Sequence, residues 1–414
     1  MFDTTIYWEW LTFAVRWAHV VAAIGWIGSS FYFIALDLGL RKRPDLPEGV
    51  SGEEWQVHGG GFYHVQKYMV APAAMPEHLI WFKWESYATW LTGVLMMIVV
   101  YYVGADLYLI DRNVLDVSQA TAIAISIGSL AIGYLIYDLL CRSPLGKNDL
   151  TLMLILYVVL VAMAWGYTQL FTGRAAFLHL GAFTATIMSA NVFMVIIPNQ
   201  RKVVAALRAQ EEPEAQLGIE AKQRSLHNNY LTLPVIFLML ATHHPLAFAT
   251  EFNWVIASLV FLMGVSIRHY FNSYYAQKGV LIWTWGVTLA LFVLIAWVST
   301  LSPPGEASEE QAARLSQAEQ RFTKHAKFDD VVEIITGRCS MCHATEPAWE
   351  GIRVAPKGVR LESPEDVARY AHEIYLQSAR SRAMPPGNIT ELEDTDRALI
   401  ATWYREARRA KSGG

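Results

Sequence analysis

Long apolar runs alternate with short polar segments through the first 300 residues, and the alternation stops after them. Eight runs stand out, over residues 9–38, 84–103, 120–141, 150–171, 176–197, 229–243, 253–275 and 280–300. A helix needs about 20 mostly apolar residues to cross a bilayer, and only 229–243 falls well short, with Asn228, Asn229 and Pro234 interrupting its start. No amphipathic period breaks these runs, which argues against a large soluble helical protein. Residues 301–325 are polar and read as a partly helical linker. Beyond them, Phe328 to Ile335 predicts a short helix leading into Cys339, and Thr390 and Glu393 have capping-box spacing. They open a last helix with Leu399, Ile400 and Trp403 on its apolar face. The pattern predicts an all-α fold. An eight-helix transmembrane bundle spans 1–300, a linker 301–325, and a small helical domain 326–414.

Composition agrees with that division. The 414 residues are 54% hydrophobic and 17% charged, with 15 Trp, more apolar and less charged than soluble domains. A net charge of −4 gives no footprint for nucleic acid. Residues 1–15 hold Asp3 and Glu9 but no Lys or Arg, so the first apolar run is expected to be a retained helix rather than a cleaved signal. Lys and Arg crowd alternate loops: Arg41, Lys42, Arg43, Lys67 and Lys83 after the first run, Arg142 and Lys147 after the third, Arg201, Lys202, Arg208, Lys222 and Arg224 after the fifth, Arg268 and Lys278 at the end of the seventh. The other loops hold only Arg112 and Arg174. By the positive-inside rule the N-terminus lies outside, and eight crossings return the C-terminal domain to the same side.

The bundle repeats internally. Ser29, Phe33 and Arg41-Lys42 follow His19 at the offsets at which Ser189, Phe193 and Arg201-Lys202 follow His179. Gly133 and Lys147 match Gly264 and Lys278 at a constant offset of 131. Runs one to four and five to eight are thus expected to be two parallel copies about an axis along the membrane normal.

Candidate chemistry concentrates in two places. In the C-terminal domain, Cys339-Ser340-Met341-Cys342-His343 is the C-x-x-C-H of covalent heme c attachment. His343 is placed to bind iron and Met384, in Ala383-Met384-Pro385-Pro386, to be the opposite ligand. A His/Met pair raises the heme potential and suits electron transfer. In the bundle, polar residues gather at the predicted inner face. They comprise His58, His64, Gln66, Lys67, Tyr68, Glu77, His78, Lys83 and Glu85 before the second run, His227, Asn228 and Asn229, and Arg268, His269, Asn272, Tyr274 and Tyr275. Ionisable groups at membrane depth default to function. Others are read as inert: Cys141 as a plain thiol, His243-His244 as interfacial, and Gly59-Gly60-Gly61 as a close backbone approach without phosphate chemistry.

Gly25-Trp26-Ile27-Gly28-Ser29-Ser30-Phe31, Tyr63-His64-Val65-Gln66-Lys67-Tyr68, Pro76-Glu77-His78-Leu79, His227-Asn228-Asn229-Tyr230 and Arg268-His269-Tyr270-Phe271, completed by the cytochrome-like tail, resemble the membrane-bound, cytochrome c-linked urate oxidases. The resemblance covers essentially the whole chain. It implies hydroxylation of urate to 5-hydroxyisourate in a bacterial inner membrane. It further implies electrons leaving through heme c to the respiratory chain, by way of a soluble cytochrome c or a terminal oxidase. Bottom-up, such chemistry needs a base and a cation: Glu77, His78 and His269 are candidate bases, Lys67 and Arg268 candidate anion holders. Two rivals remain: a quinol:cytochrome c oxidoreductase, and an anchored electron-transfer cytochrome.

An inner-face site and an outer heme are separated by about 30 Å of hydrocarbon. His19 and His179, equivalent in the repeat, are expected in the outer half of the bundle. They are either ligands of a bridging heme b or another metal, or buried histidines bonded to neighbours.

Overall fold

A computed structural model describes residues 4–68, 76–111, 114–209, 211–301, 315, 317–352 and 355–409. Most of the expected linker (302–314 and 316) and Arg112 lie outside the described residues. The chain divides into two compact units, Met1–Leu301 and Ser302–Gly414.

The first unit is mostly helical. Helix α1 (Thr4–Gly39) leads to a hairpin, then α2 (Trp84–Met96, continued by a π-helical turn Met97–Tyr102), the short α3 (Ala105–Tyr108), α4 (Gln119–Arg142) and α5 (Asp149–Thr168). Helix α6 (Gly173–Ala190) passes through a π-helical segment, Asn191–Ile196, into α7 (Ile197–Arg208). Helix α8 (Ala215–Ala241), the short α9 (Pro245–Phe248), α10 (Asn253–Tyr275) and α11 (Trp283–Val298) complete the unit. Caps set several starts: Ser118 accepts from Thr121 N, Asn148 from Thr151 N and Thr172 from Ala175 N, each satisfying an otherwise orphaned amide. Helix α6 is the central element, with Phe177, His179, Leu180 and Phe183 all buried.

Glycines allow the tightest helix approaches. A Cβ on Gly133 of α4 would collide with the Phe183 ring of α6, and one on Gly264 of α10 would lie 2.5 Å from Pro234 Cδ of α8. Gly264 therefore makes room for a proline inside a helix. For that reason α8 runs on through Asn228, Asn229 and Pro234 instead of beginning there, and the two amides become buried helical side chains.

Five helical segments, Ile6–Gly39, Gln119–Arg142, Asp149–Thr168, Gly173–Arg208 and Asn253–Tyr275, are long and apolar enough to cross a membrane, and Trp283–Val298 is a shorter apolar helix. Their outward faces carry exposed Trp10, Trp17, Leu139, Leu150 and Val158, far more apolar surface than a soluble monomer shows. That surface fits a membrane-spanning protein.

The all-α expectation fails at one point. Strands β1 (Val50–His58) and β2 (Gly61–Tyr68) form an antiparallel hairpin, with Trp55 opposite His64 and Val57 opposite Phe62. Gly59 and Gly60 have φ of +60° and +80°, the paired positive values that a two-residue hairpin turn requires. The glycines serve the turn, and Glu53, Trp55 and Val57 alternate along β1 at strand period.

The second unit contains α12 (Gln317–Thr323), α13 (Phe328–Arg338), α14 (Pro364–Arg369), α15 (Ala371–Ile374, continued by a π-helical turn Tyr375–Arg380) and α16 (Asp394–Arg409). Ser363 and Asp366 make a reciprocal capping box at the start of α14. Its core joins Phe322, Phe328, Ile335, Tyr375, Trp403 and Tyr404. The Tyr375 and Tyr404 rings stack at 4.4 Å.

Candidate functional site

Three helices of the first unit meet around Arg268 of α10. The residue is 5% exposed. Its Nε donates to Asn229 Oδ1 of α8 at 3.3 Å and its Nη2 to Asn272 Oδ1, one turn on, at 3.1 Å. The guanidinium lies 4.3 Å from the Phe31 ring of α1. Asn272 Nδ2 also donates to Asn229 Oδ1, at 2.9 Å. Asn229 Oδ1 thus accepts twice, which fixes its amide and leaves Nδ2 buried with no partner. No carboxylate pairs with Arg268 among the described residues. A buried charge is costly unless compensated, and the described residues answer this one only with two amides and an aromatic ring.

Asn272 and Tyr275 continue the Arg268 face at i+4 and i+7. About 10 Å along the helix from Arg268, that face reaches a cavity of about 660 Å³ bounded by Ala35, Gly39, Arg41, Arg43, Glu53, Glu54, Trp55, Tyr274, Tyr275 and Gln277. The hairpin supplies one wall. Glu53, 7% exposed, accepts from Arg43 Nη1 at 3.3 Å and contacts His64 Nε2 at 2.6 Å. The Trp55 and His64 rings stack at 4.1 Å and 8°. The cavity is half open and lined by both charged and aromatic side chains.

A second buried arginine is arranged differently. Arg224 of α8 donates through Nη2 to Asp138 Oδ1 of α4 at 2.7 Å, and through Nη1 to Asn191 Oδ1 at 3.3 Å. Asn191 Nδ2 donates to the Tyr137 hydroxyl and to Asn228 Oδ1, both at 2.9 Å. The Tyr137 hydroxyl also lies 2.8 Å from His227 Nδ1. Asp138 holds Arg142 as well, at 2.7 Å. This network is charge-compensated. Beside it, an apolar cavity of about 60 Å³ is lined by Tyr137, His227 and side chains such as Leu156, Phe183 and Phe261.

Residues 5–299 match the model of the urate oxidase N-terminal family. The chain belongs to this family. No curated protein sequence and no solved structure matches the chain.

The family relationship ties the first unit to urate oxidation, and Arg268, Asn229, Asn272 and the 660 Å³ cavity all lie inside the matched residues. The other expected site residues of that region are dispersed. Lys67 Nζ pairs with Asp37 at 2.6 Å on the surface. Glu77 and His78 are exposed, and the Glu77 carbonyl accepts from Arg208 Nη2 at 3.2 Å. His269 is exposed on another face of α10, with Nδ1 3.4 Å from the Tyr230 hydroxyl. Of the expected cluster, only Arg268 occupies the buried junction. In the sequence Asn229 and Asn272 stand out only as members of polar groups, and the four-residue helical spacing of Arg268 and Asn272 is the signal for that pair. Glu53 gives no signal in the sequence, because its burial depends on the hairpin.

The two repeat-related histidines are engaged separately. His19 Nδ1 lies 3.1 Å from both Thr89 O and Thr92 Oγ1 of α2. Fully buried His179 contacts Ser126 Oγ through Nε2 at 2.7 Å and Ala175 O through Nδ1 at 2.7 Å, beside the Phe171, Tyr167 and Tyr101 rings. Both His179 nitrogens are therefore occupied within the protein. Among the described residues no group of three or more His, Cys, Asp or Glu is placed to hold a metal.

In the second unit, α13 ends at Cys339. Its thiol is pushed up to about 11, by burial first and then by neighbouring Cys342, the reverse of the lowered value of a reactive dithiol. His343 Nδ1 lies 2.9 Å from Val359 O, which orients the ring and leaves Nε2 as its free ligating atom. Met384 N donates to Gln377 O at 2.9 Å, fixing the Met384 loop against the π-helical turn of α15. Two free thiols, an oriented imidazole and an anchored thioether form a donor set that suits covalent heme.

Proposed function

We propose that the first unit is a membrane-embedded urate oxidase that hydroxylates urate to 5-hydroxyisourate and passes electrons to a heme c held by the second. The observation that carries this reading is Arg268. Within the family-matched region it is a buried guanidinium held by two neutral amides and an aromatic face, with no carboxylate pairing to it among the described residues. Urate is a planar monoanion at neutral pH. Arg268 supplies positive charge on α10 about 10 Å from the cavity, where Trp55, Tyr274 and Tyr275 offer aromatic faces to a flat purine.

The overall step is urate plus water giving 5-hydroxyisourate, two electrons and two protons, with the new hydroxyl oxygen coming from water. Arg268 favours the anion over a neutral purine, while Asn229 and Asn272 hold the guanidinium planar and aimed. Glu53, bridged to His64 at 2.6 Å, and Glu54 are the carboxylates in the cavity wall and the candidate proton acceptors there. Heme c, when bound, accepts the electrons one at a time. Cys339 and Cys342 would be its attachment thiols, and His343 and Met384 would bind its iron. In this reading the N-terminus and the second unit face the periplasm of a bacterial inner membrane, and the inner-face loops carry the Lys and Arg excess.

Membranes containing the protein are offered urate or a quinol while reduction of heme c is followed at its α band. Reduction by urate and not by quinol supports the proposal. Reduction by quinol alone replaces it with a quinol:cytochrome c oxidoreductase.

A further inference from the structure

Arg397 lies on α16, 54 residues beyond the end of C-x-x-C-H, and is 5% exposed. Its Nη1 donates to Ser378 O, and also to Met384 O at 3.1 Å. Its Nη2 donates to Asn388 Oδ1 at 2.9 Å. These acceptors sit before, on and after the loop that carries Met384. No carboxylate pairs with Arg397 among the described residues, and its buried Nε has no partner. A buried guanidinium without an acid is not retained for an ion pair. What it offers is a rigid planar fork able to tie several carbonyl groups at once.

The rest of the loop lacks any comparable tie to α16. Arg382 pairs with Asp394 at 2.6 Å, but both side chains are more than 70% exposed, and such pairs contribute little. The loop's own short turns, Asn388 N to Pro385 O and Ile389 N to Pro386 O, shape it without anchoring it. On its far side, Arg338, the residue before Cys339, donates to Thr390 O at 3.0 Å. The loop is therefore held between the helix that delivers the cysteines and the helix that carries Arg397.

We infer that Arg397 is the positioning residue of the sixth heme ligand: it holds the Met384 backbone at the distance at which the thioether binds iron, and so maintains the high potential of a His/Met heme. This rests on the reading that heme c is attached at Cys339 and Cys342. Lysine preserves the charge but cannot bridge three acceptors, so Arg397→Lys separates geometry from electrostatics. Asn388→Gly removes one of the three ties where the backbone φ of +58° suits glycine. It leaves the buried core untouched.

The test uses the full chain in membranes, with covalent heme measured as pyridine hemochrome, the Met–iron charge-transfer band of the oxidised protein, and the midpoint potential. Arg397→Lys is expected to keep heme attached, lose most of the band and lower the potential toward that of Met384→Ala. Asn388→Gly is expected to show a smaller loss of the same kind. Addition of Arg397→Lys to Met384→Ala should lower the potential no further. Wild-type band and potential in both Arg397→Lys and Asn388→Gly would overturn the inference. So would a lowered potential with the band intact, because that is a charge effect alone. Wild-type protein with no covalent heme would instead overturn the heme c reading itself.

Discussion

Arg224 and Arg268 occupy the neighbouring helices α8 and α10 and are almost equally buried, at 3% and 5% exposure, yet their surroundings differ in one respect. Arg224 has Asp138 at 2.7 Å, and Asp138 also holds Arg142. Arg268 has two amides and a phenyl ring. Burying a cation is expensive in either place. At Arg224 the protein supplies the counter-charge, so the group serves the packing of α4 against α8. At Arg268 no described carboxylate supplies it, and in the proposed function a bound anion does. Equal burial thus hides opposite roles, and the partner list is what separates them.

The largest effect that would sharpen this contrast is expected at Asp138. Asp138→Asn strands Arg224 without its carboxylate, and breaking a buried pair costs about 3–5 kcal/mol. Thermal unfolding in detergent should report that loss, while urate affinity of the folded fraction stays at the wild-type value. Altered affinity at unchanged stability would reverse the two roles. Arg268→Gln should do the opposite. Removing one charged partner of a buried contact costs about 2 kcal/mol or more, so urate binding should weaken at least about 30-fold with heme content and melting temperature maintained. Direct binding of labelled urate measures it.

Next in size is the ligand's own effect on stability. Urate at 100 times its dissociation constant should stabilise the wild-type protein by about 2.7 kcal/mol. Asp138→Asn should gain the same increment, and Arg268→Gln, binding at least about 30-fold more weakly, should gain less than about 1 kcal/mol at that concentration. Equal stabilisation of all three would remove the arginine from the site. Gly264→Ala tests the geometry between the two clusters. Its Cβ would press on Pro234, one turn and a half from Asn229 on the same helix, at a cost of about 1–3 kcal/mol, and the strained α8–α10 approach should weaken urate binding as well. The smallest effect is expected at Lys67. Its pair with Asp37 is exposed on both sides, a class worth about 0–1 kcal/mol. Lys67→Ala should therefore change urate turnover by less than about twofold, and a large loss would return Lys67 to the site.

The sequence by itself determined the helical character of the chain and much of its registration. Residues 120–141 and 253–275 were legible as helices and are found at Gln119–Arg142 and Asn253–Tyr275, because an unbroken apolar run can satisfy its backbone in hydrocarbon only as a helix. The inventory of chemistry was legible for the same local reason, since C-x-x-C-H and an arginine inside an apolar run are visible without a fold. The hairpin was not, although Gly59-Gly60 marks its turn. Its strands carry charge on both faces, and a glycine pair alone does not say which flanking residues will pair. Only the tertiary structure decided which buried charge is answered by the protein. Asp138 and Arg224 are 86 positions apart, as are no helical neighbours, and nothing in local pattern distinguishes Arg224 from Arg268. Pairing is a property of helices brought side by side. So is the dispersal of Lys67, Glu77, His78 and His269, which loop position grouped together and three-dimensional packing set on separate faces.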